Sequence, residues 1–304
     1  MNAQAAVCVY GAPPASLAPT PTGAVQVSPL VPGAHRLEDV APESLTGAVI
    51  AAPPGAVERR YVLALALRAL KPGASLIALA PKDKGGSRLR KELEGFGCTV
   101  EESARQHHRI CHVKRPERLS GLDVALAAGG AQFVDALGLW TQPGVFSWDR
   151  PDPGSRLLRA ALPPLAGRGA DLGCGVGYLA KAVLESANVT RLELIDIDRR
   201  AVDAARRNLA DARCEFHWAD VRHAPAMADL DFVVMNPPFH DAGQEDKSLG
   251  QAFIRRSHQL LRKGGVVWLV ANRHLPYEGV LGELFSTVTV KGEAEGFKIF
   301  EARK

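Results

Sequence analysis

A glycine loop set between a strand and a helix constrains this chain more than any other feature. The strand Gly169–Leu172 runs into Asp171-Leu-Gly173-Cys-Gly175-Val-Gly177, and Tyr178–Ser186 follows with helical spacing. Strand, glycine turn and helix in that order open an α/β sheet, whose ligands bind beyond the carboxyl ends of its strands. The alternation continues. Strands are expected at Arg191–Ile195, Cys214–Trp218, Asp231–Met235 and Val266–Val270, with helices at Asp198–Ala210 and Ala252–Leu261. Asp198 is a suitable N-cap for the first of these helices. Thr287–Val290 and Lys298–Glu301 read as closing strands.

Glycines let a backbone approach a ligand closely and adopt positive φ. The helix N-terminus behind the loop offers free N–H groups to an anion. Two ligand types use such a loop: a dinucleotide pyrophosphate, or the carboxylate end of S-adenosylmethionine. The dinucleotide fingerprint is G-x-G-x-x-G. The spacing here is G-x-G-x-G, with Asp171 two positions before the first glycine. That carboxylate repels a pyrophosphate and suits a ligand carrying an ammonium and a sulfonium. Asp196 ends the next strand, where a carboxylate can accept both hydroxyls of an adenosine ribose. Ile197 would pack on the adenine face. Asp220, placed at the end of His217-Trp-Ala-Asp220, could accept from the adenine amino group, with Val221 supplying the adjacent N–H.

Asn236-Pro-Pro-Phe239 follows the strand Asp231–Met235. Proline cannot continue a central strand, and an X-Pro-Pro turn has few backbone freedoms. The Asn236 amide oxygen and the Pro237 carbonyl therefore form a rigid pair of acceptors. Such a pair matches the two hydrogens of an amino group on a planar ring, and Phe239 offers that ring a stacking face worth about 1–3 kcal/mol.

The N-terminal part repeats the plan with less of it present. Gly47–Ala52 and Ser75–Ala80 read as buried strands, Val57–Leu70 and Ser87–Glu94 as helices, and Thr99–Glu101 with Arg109–Lys114 as closing strands. Val49–Pro54 lies against Val233–Pro238, Leu70–Gly73 against Leu261–Gly264, Phe96 with Thr99-Val100 against Phe285 with Thr287-Val288 or Thr289-Val290, and Arg109-Ile110 against Lys298-Ile299. Four landmarks in one order indicate an internal duplication. The first copy has Ala52 where the second has Asn236, and no counterpart of the loop Gly173–Gly177. Charge divides along the same line. Residues 1–120 hold 15 Lys/Arg against 10 Asp/Glu, and residues 121–304 hold 22 against 23. A basic, chemically empty half suits docking to a polyanion. The expected division is residues 1–120 as this half, 121–142 as a linker and 143–304 as the catalytic domain.

Together, Asp171–Gly177, Asp196, Asp220 and Asn236-Pro-Pro-Phe239 resemble a class I S-adenosylmethionine-dependent amino-methyltransferase. A longer set resembles the ribosomal RNA guanine-N2 methyltransferases, in particular the small-subunit enzyme: Pro143-Gly-Val-Phe-Ser147, Asp149, Asp152, Gly154-Ser155 and Leu157-Leu158 before the loop, then Asn236-Pro-Pro-Phe-His240, Val270-Ala-Asn272 and Leu275-Pro-Tyr277. The resemblance implies a C-terminal Rossmann-like domain, a mostly parallel sheet with helices on both faces, beside a smaller degenerate methyltransferase-like N-terminal α/β domain. It implies S-adenosylmethionine along Gly173, Gly175, Gly177, Asp171, Asp196, Ile197, Asp220, Val221 and Asn236. A guanine in ribosomal RNA would be gripped by Asn236 and Pro237, stacked on Phe239 and flanked by Phe146, Pro238 and His240. Phe146 and the segment to Ser155 would cover cofactor and base, with Arg150 and Arg156 reaching phosphates. His240 or Asp241 could take the released proton. Three other readings share these motifs: a protein glutamine methyltransferase, an adenine-N6 methyltransferase, and a non-catalytic RNA-binding assembly protein.

Five dispersed cysteines without a C-x-x-C pair point away from a disulfide framework or a zinc ribbon and toward reduced thiols in a cytoplasm. His107, His108, Cys111 and His112 are the one metal-like cluster, but on a strand they face both sides, so no metal is expected. No apolar run is long enough to cross a membrane, and no signal peptide is evident. A monomer working on ribosomal RNA or the small subunit is the expected form.

Overall fold

The computed structural model describes residues 6–223, 227–238, 240, 241, 244, 245 and 247–304. It divides into two compact units, residues 1–131 with 142–144 and residues 132–141 with 145–304.

In the first unit the strands are β1 (Ala6–Tyr10), β2 (Val25–Gln26), β3 (Leu45–Ala51), β4 (Leu70–Pro81), β5 (Val100–Arg105) and β6 (His108–Lys114). They form one sheet in the order β2-β1-β3-β4-β6-β5, in which only β6 runs antiparallel, to both β4 and β5. Helix α1 (Ala56–Ala69) is apolar almost all round and correspondingly buried, from Val62 to Leu67. Pro72, in the segment Leu70-Lys-Pro-Gly73, could not extend it. Helix α2 (Ser87–Glu94) covers the sheet with Leu89 and Leu93, and α3 (Leu122–Gly129) packs so closely on α1 that a Cβ at Gly129 would overlap Tyr61.

The second unit begins with the hairpin β7 (Gln132–Val134) and β8 (Leu139–Thr141), then α4 (Pro153–Ala161). Next come β9 (Gly167–Leu172), α5 (Tyr178–Val183), β10 (Val189–Asp196), α6 (Arg199–Asn208), β11 (Cys214–Trp218) and β12 (Leu230–Met235). The short pair β13 (His240–Asp241) and β14 (Gln244–Glu245) precedes α7 (Lys247–Leu260), β15 (Leu261–Asn272), α8 (Tyr277–Leu284), β16 (Thr287–Ala294) and β17 (Phe297–Arg303). The sheet order is β11-β10-β9-β12-β15-β17-β16, with β17 antiparallel to both its neighbours. Side chains alternate across the strands. Ala170, Leu172, Val233 and Met235 pack with Ile254 and Leu281 of α7 and α8, while Leu194, Phe232 and Val234 pack with Leu158, Leu179 and Ala205 of α4, α5 and α6.

Residues 121–142 are expected as a linker. They contain α3, which belongs to the first unit, and the β7–β8 hairpin, which belongs to the second. The hairpin is clasped by Asn208, whose Oδ1 accepts from Trp140 N at 2.7 Å and whose Nδ2 donates to Trp140 O at 2.9 Å.

The two sheets share one strand order once the outermost β11 is set aside, as duplication requires. Gly11 after β1 has φ 72° where Gly173 after β9 has φ 75°, so one glycine of the loop survives in the first copy. Its site is filled from within. Gln26, at the end of β2, donates to Gly11 O at 2.9 Å and accepts from Val27 and Ser28 N–H. Beyond β3, the carbonyls of Pro53 and Pro54 accept from Nη1 of the buried Arg59 at 3.1 and 2.7 Å. Glu92 binds the rest of that guanidinium through two contacts of 2.7 Å. Gly85 has φ 96° and leaves no room for a Cβ beside Arg59. Gly85→Ala is expected to destabilise the protein by at least about 2 kcal/mol, because it combines backbone strain with displacement of a buried ion pair. Urea denaturation measures this, and an unchanged midpoint would contradict the packing described.

Candidate functional site

The chain leaves β9 through three glycines of positive φ, Gly173 (75°), Gly175 (52°) and Gly177 (86°). Gly173 and Cys174 N–H both donate to Ile195 O, at 2.9 and 3.0 Å, which fixes the loop to the end of β10. A Cβ at Gly177 would press on Leu209, whereas one at Gly175 would enter open space. Gly175 thus leaves a cradle that any other residue would begin to fill. Helix α5 has six residues, so its macrodipole is a minor attraction and the side chains around the loop matter more.

Asp171 is fully buried, on the sheet face that carries α4 and α5. Neither of its carboxylate oxygens has a hydrogen-bond partner. Burial, then the nearby charge of Asp196, push its carboxyl up to about 8. A buried acid left unpaired is costly and calls for an explanation. A ligand cation would supply such a partner, and the residues present fit S-adenosylmethionine on that ground.

Asp196 Oδ2 accepts from Gly175 N at 2.8 Å and Oδ1 from Asp198 N at 2.9 Å, so it braces the loop. Burial raises its carboxyl to about 6 against the pull of the Asp198, Gly175 and Ile197 N–H groups. Each oxygen keeps acceptor capacity for a hydroxyl. Ile197 is exposed.

Asp220 departs from the expectation. β11 ends at Trp218, and Asp220 lies in the following turn. Arg222 grips its carboxylate, with Nε 3.0 Å from Oδ1 and Nη2 2.6 Å from Oδ2. Partial burial raises the Asp220 carboxyl, but the hydrogen bonds and charge of Arg222 outweigh it and hold the group below its ordinary value. Arg222 thus takes up much of its acceptor capacity. Val221 beside it is buried.

Asn236 follows β12 directly. Its Nδ2 donates to Asp152 Oδ2 at 2.8 Å and to Ser155 Oγ at 2.9 Å. An ionised carboxylate only accepts, so the amide nitrogen must face Asp152, and Oδ1 faces away from it. Pro237 is buried and Pro238 half-buried. Phe146, 63% exposed, lines one cleft with Arg150, Asp152, Ser155, Gly175 and Asn236. Phe239 lies outside the described residues, as do the side chains of His240 and Asp241. Arg156 is taken up by Glu295 at 3.0 Å.

Sequence reasoning assigns Asp152 and Ser155 no role of their own, and the structure supplies one. Asp-Pro-Gly-Ser at a helix start does signal an N-cap, and Asp152 does accept from Ser155 N at 2.7 Å. The tie to Asn236 leaves no local signal. Cys111 is buried and His112 exposed on opposite faces of β6. Among the described residues Glu193, Glu215 and His217 form a group of metal-ligand type, but Arg191 and His217 already occupy Glu193, at 2.6 and 2.7 Å. No helix among the described residues is long and apolar enough to cross a membrane.

This is the site of a class I methyltransferase fold: a glycine cradle, a buried unpaired acid behind it, and a presented amide oxygen beside it. The methyltransferase small domain family model matches residues 136–301. A ribosomal RNA small subunit methyltransferase C of Shewanella loihica is 31% identical over 80% of this chain and 73% of its own length. The same-named protein of Pseudomonas aeruginosa is 31% identical over 92% of this chain and 86% of its own. The structure of a T. thermophilus 16S rRNA N2 guanine methyltransferase, in complex with AdoMet and guanosine, superposes with TM-score 0.80 at 25% identity, covering 99% of this chain and 88% of that one. The chain belongs to the methyltransferase small domain family and, within it, to the ribosomal RNA small subunit methyltransferase C group.

Proposed function

We propose that this protein transfers a methyl group from S-adenosylmethionine to the exocyclic N2 of a guanine in small-subunit ribosomal RNA. The observation that carries the reading is the orientation of Asn236, both of whose amide hydrogens are used internally. Its Oδ1 and the Pro237 carbonyl accept the two hydrogens of the target amine and turn its lone pair toward the cradle. The first unit supports this use of the turn, since the Pro53 carbonyl, counterpart of Pro237's, binds the planar N–H group of Arg59. Asp171 binds the ammonium of the cofactor and Asp196 its ribose, with Gly173–Gly177 beneath. The cofactor supplies a methyl carbon already activated by a sulfonium. What the protein adds is orientation, placed dipoles and exclusion of water. Phe239 stacks the base after it leaves its helix or loop. The nitrogen becomes acidic once methylated, so a strong general base is unnecessary. Incubation with labelled cofactor and unmodified ribosomal RNA, followed by nucleoside analysis, is expected to yield N2-methylguanosine. Label in N6-methyladenosine or in protein would overturn the reading.

The first unit docks the RNA. Lys82 N–H donates to His107 O at 2.8 Å, joining the turn after β4 to the β5–β6 hairpin tip and gathering Lys82, Arg105 and His107 at one end. The protein acts as a cytoplasmic monomer. RNA affinity is expected to fall about 100-fold between 50 and 200 mM salt, the loss for about four phosphate contacts. Filter binding across that range measures it, and a flat response would remove the docking role.

A further inference from the structure

We propose that Asp152 and Ser155 are positioning residues that set the amide of Asn236 oxygen-outward, so that the start of α4 controls methyl transfer. The inference rests on the reading that Asn236 grips the target amine. An asparagine amide is nearly symmetric in shape, and flipping it exchanges an acceptor for a donor. A flipped Asn236 would aim its NH2 at the substrate's NH2, lose the hydrogen bond and turn the amine away. The structure opposes the flip at Asp152, and Ser155 ties the amide nitrogen in place beside it. Asp152 Oδ2 accepts from Asn236 Nδ2 at 2.8 Å, and Ser155 Oγ lies 2.9 Å from the same nitrogen. A flipped amide would put its oxygen against the Asp152 carboxylate.

The two partners are themselves fixed. Asp152 is the N-cap of α4, with extended φ/ψ, and the same Oδ2 accepts from Ser155 N at 2.7 Å. Pro153 begins the helix and restricts the turn. Gly154 is buried so tightly that a Cβ there would meet Phe297 at 2.9 Å and Asp152 Oδ2 at 3.2 Å. Asp152, Ser155 and Asn236 all line the cleft with Gly175. The capping side chain therefore acts twice. It closes the helix end, and its remaining acceptor capacity orients a residue more than eighty positions away.

The experiment uses the full chain. Ser155→Ala keeps the cap, because the capping donor is a backbone N–H, and removes only the Oγ. It is expected to lower kcat about tenfold, the loss of one buried hydrogen bond, with cofactor affinity within about twofold. Asp152→Ala should lower kcat further. Asp152→Asn should restore most of it, since a neutral amide oxygen can replace Oδ2 toward both donors and Asn caps helices well. A second readout needs no turnover. In 15N-asparagine-labelled protein, the Asn236 side-chain amide, assigned by its loss in Asn236→Ala, should exchange with water faster in Ser155→Ala and Asp152→Ala than in wild type or Asp152→Asn. If both alanine variants keep wild-type kcat and exchange while Asn236→Ala is inactive, the positioning role is wrong and the grip stands. If Asn236→Ala itself keeps normal turnover, both fall.

Discussion

Asn236→Ala lowers kcat by about 100- to 1,000-fold, the loss measured when a placed hydrogen-bonding group is removed from a reacting centre. Cofactor affinity stays within about threefold, because the cradle and its two acids do not depend on the Asn236 amide. The variant should fold. Asp152 keeps the Ser155 N–H at 2.7 Å, so its carboxylate is not orphaned when the amide leaves. Asn236→Asp tests the same point from the other side. It preserves an acceptor oxygen but sets a second carboxylate where Nδ2 now lies 2.8 Å from Asp152, and like charges at that separation repel. It is expected to be both inactive and less stable than Asn236→Ala. Steady-state kinetics with cofactor titration, alongside thermal denaturation, separate these effects. Wild-type turnover in Asn236→Ala would remove the gripping role.

The second large effect belongs to Asp171. Its carboxyl is raised to about 8 by burial and the Asp196 charge, so in the folded free protein it holds a proton that the unfolded chain releases near the ordinary carboxylate value. Its contribution to stability is present in full below that ordinary value and is lost as pH rises toward about 8. Free protein should therefore become less stable across this window. Asp171→Asn, which cannot ionise, should lose less stability there, so the difference between the two widens with pH in favour of the variant. Cofactor binding runs the other way. An ammonium beside Asp171 needs the carboxylate, so binding at neutral pH releases a proton, and Asp171→Asn binds about 10- to 100-fold more weakly. Denaturation from pH 5 to 8.5 and calorimetry in buffers of different ionisation heat read both. A parallel pH dependence for the two proteins, or unchanged affinity, would contradict the assignment. Under the assignment the site trades stability of the empty protein for affinity, and cofactor should stabilise wild type far more than the variant.

Much of this is legible in the sequence because it is local. The glycine loop, the strand before it and the rigid Asn-Pro-Pro turn are written in consecutive residues, and periodicity places α2 (Ser87–Glu94) and β11 (Cys214–Trp218) where the structure has them. α3 and the β7–β8 hairpin are hidden because short elements between two Gly-containing segments read as linker. The pairing of Asp220 with Arg222 has a cause the sequence does contain. Asp198-x-Arg200, Asp211-x-Arg213 and Asp220-x-Arg222 share one spacing, and in all three the arginine folds back onto the aspartate, at 2.8, 2.7 and 2.6 Å. The pattern marks a self-contained turn. The tie from Asp152 and Ser155 to Asn236 is different in kind. It crosses from the start of a helix to the end of a strand, and only the assembled sheet brings the two together. The filling of the first unit's site by Gln26 and Arg59 is likewise a product of packing, although Ala52 in the place of Asn already points to the loss.

The most direct measurement is a crystal structure of the protein with S-adenosylhomocysteine and guanosine. The account predicts N2 of the base within hydrogen-bond distance, about 3 Å, of both Asn236 Oδ1 and the Pro237 carbonyl, with the Asn236 nitrogen still on Asp152 and Ser155. A base seated with N2 turned away from that pair, or an Asn236 amide flipped toward it, would contradict the account.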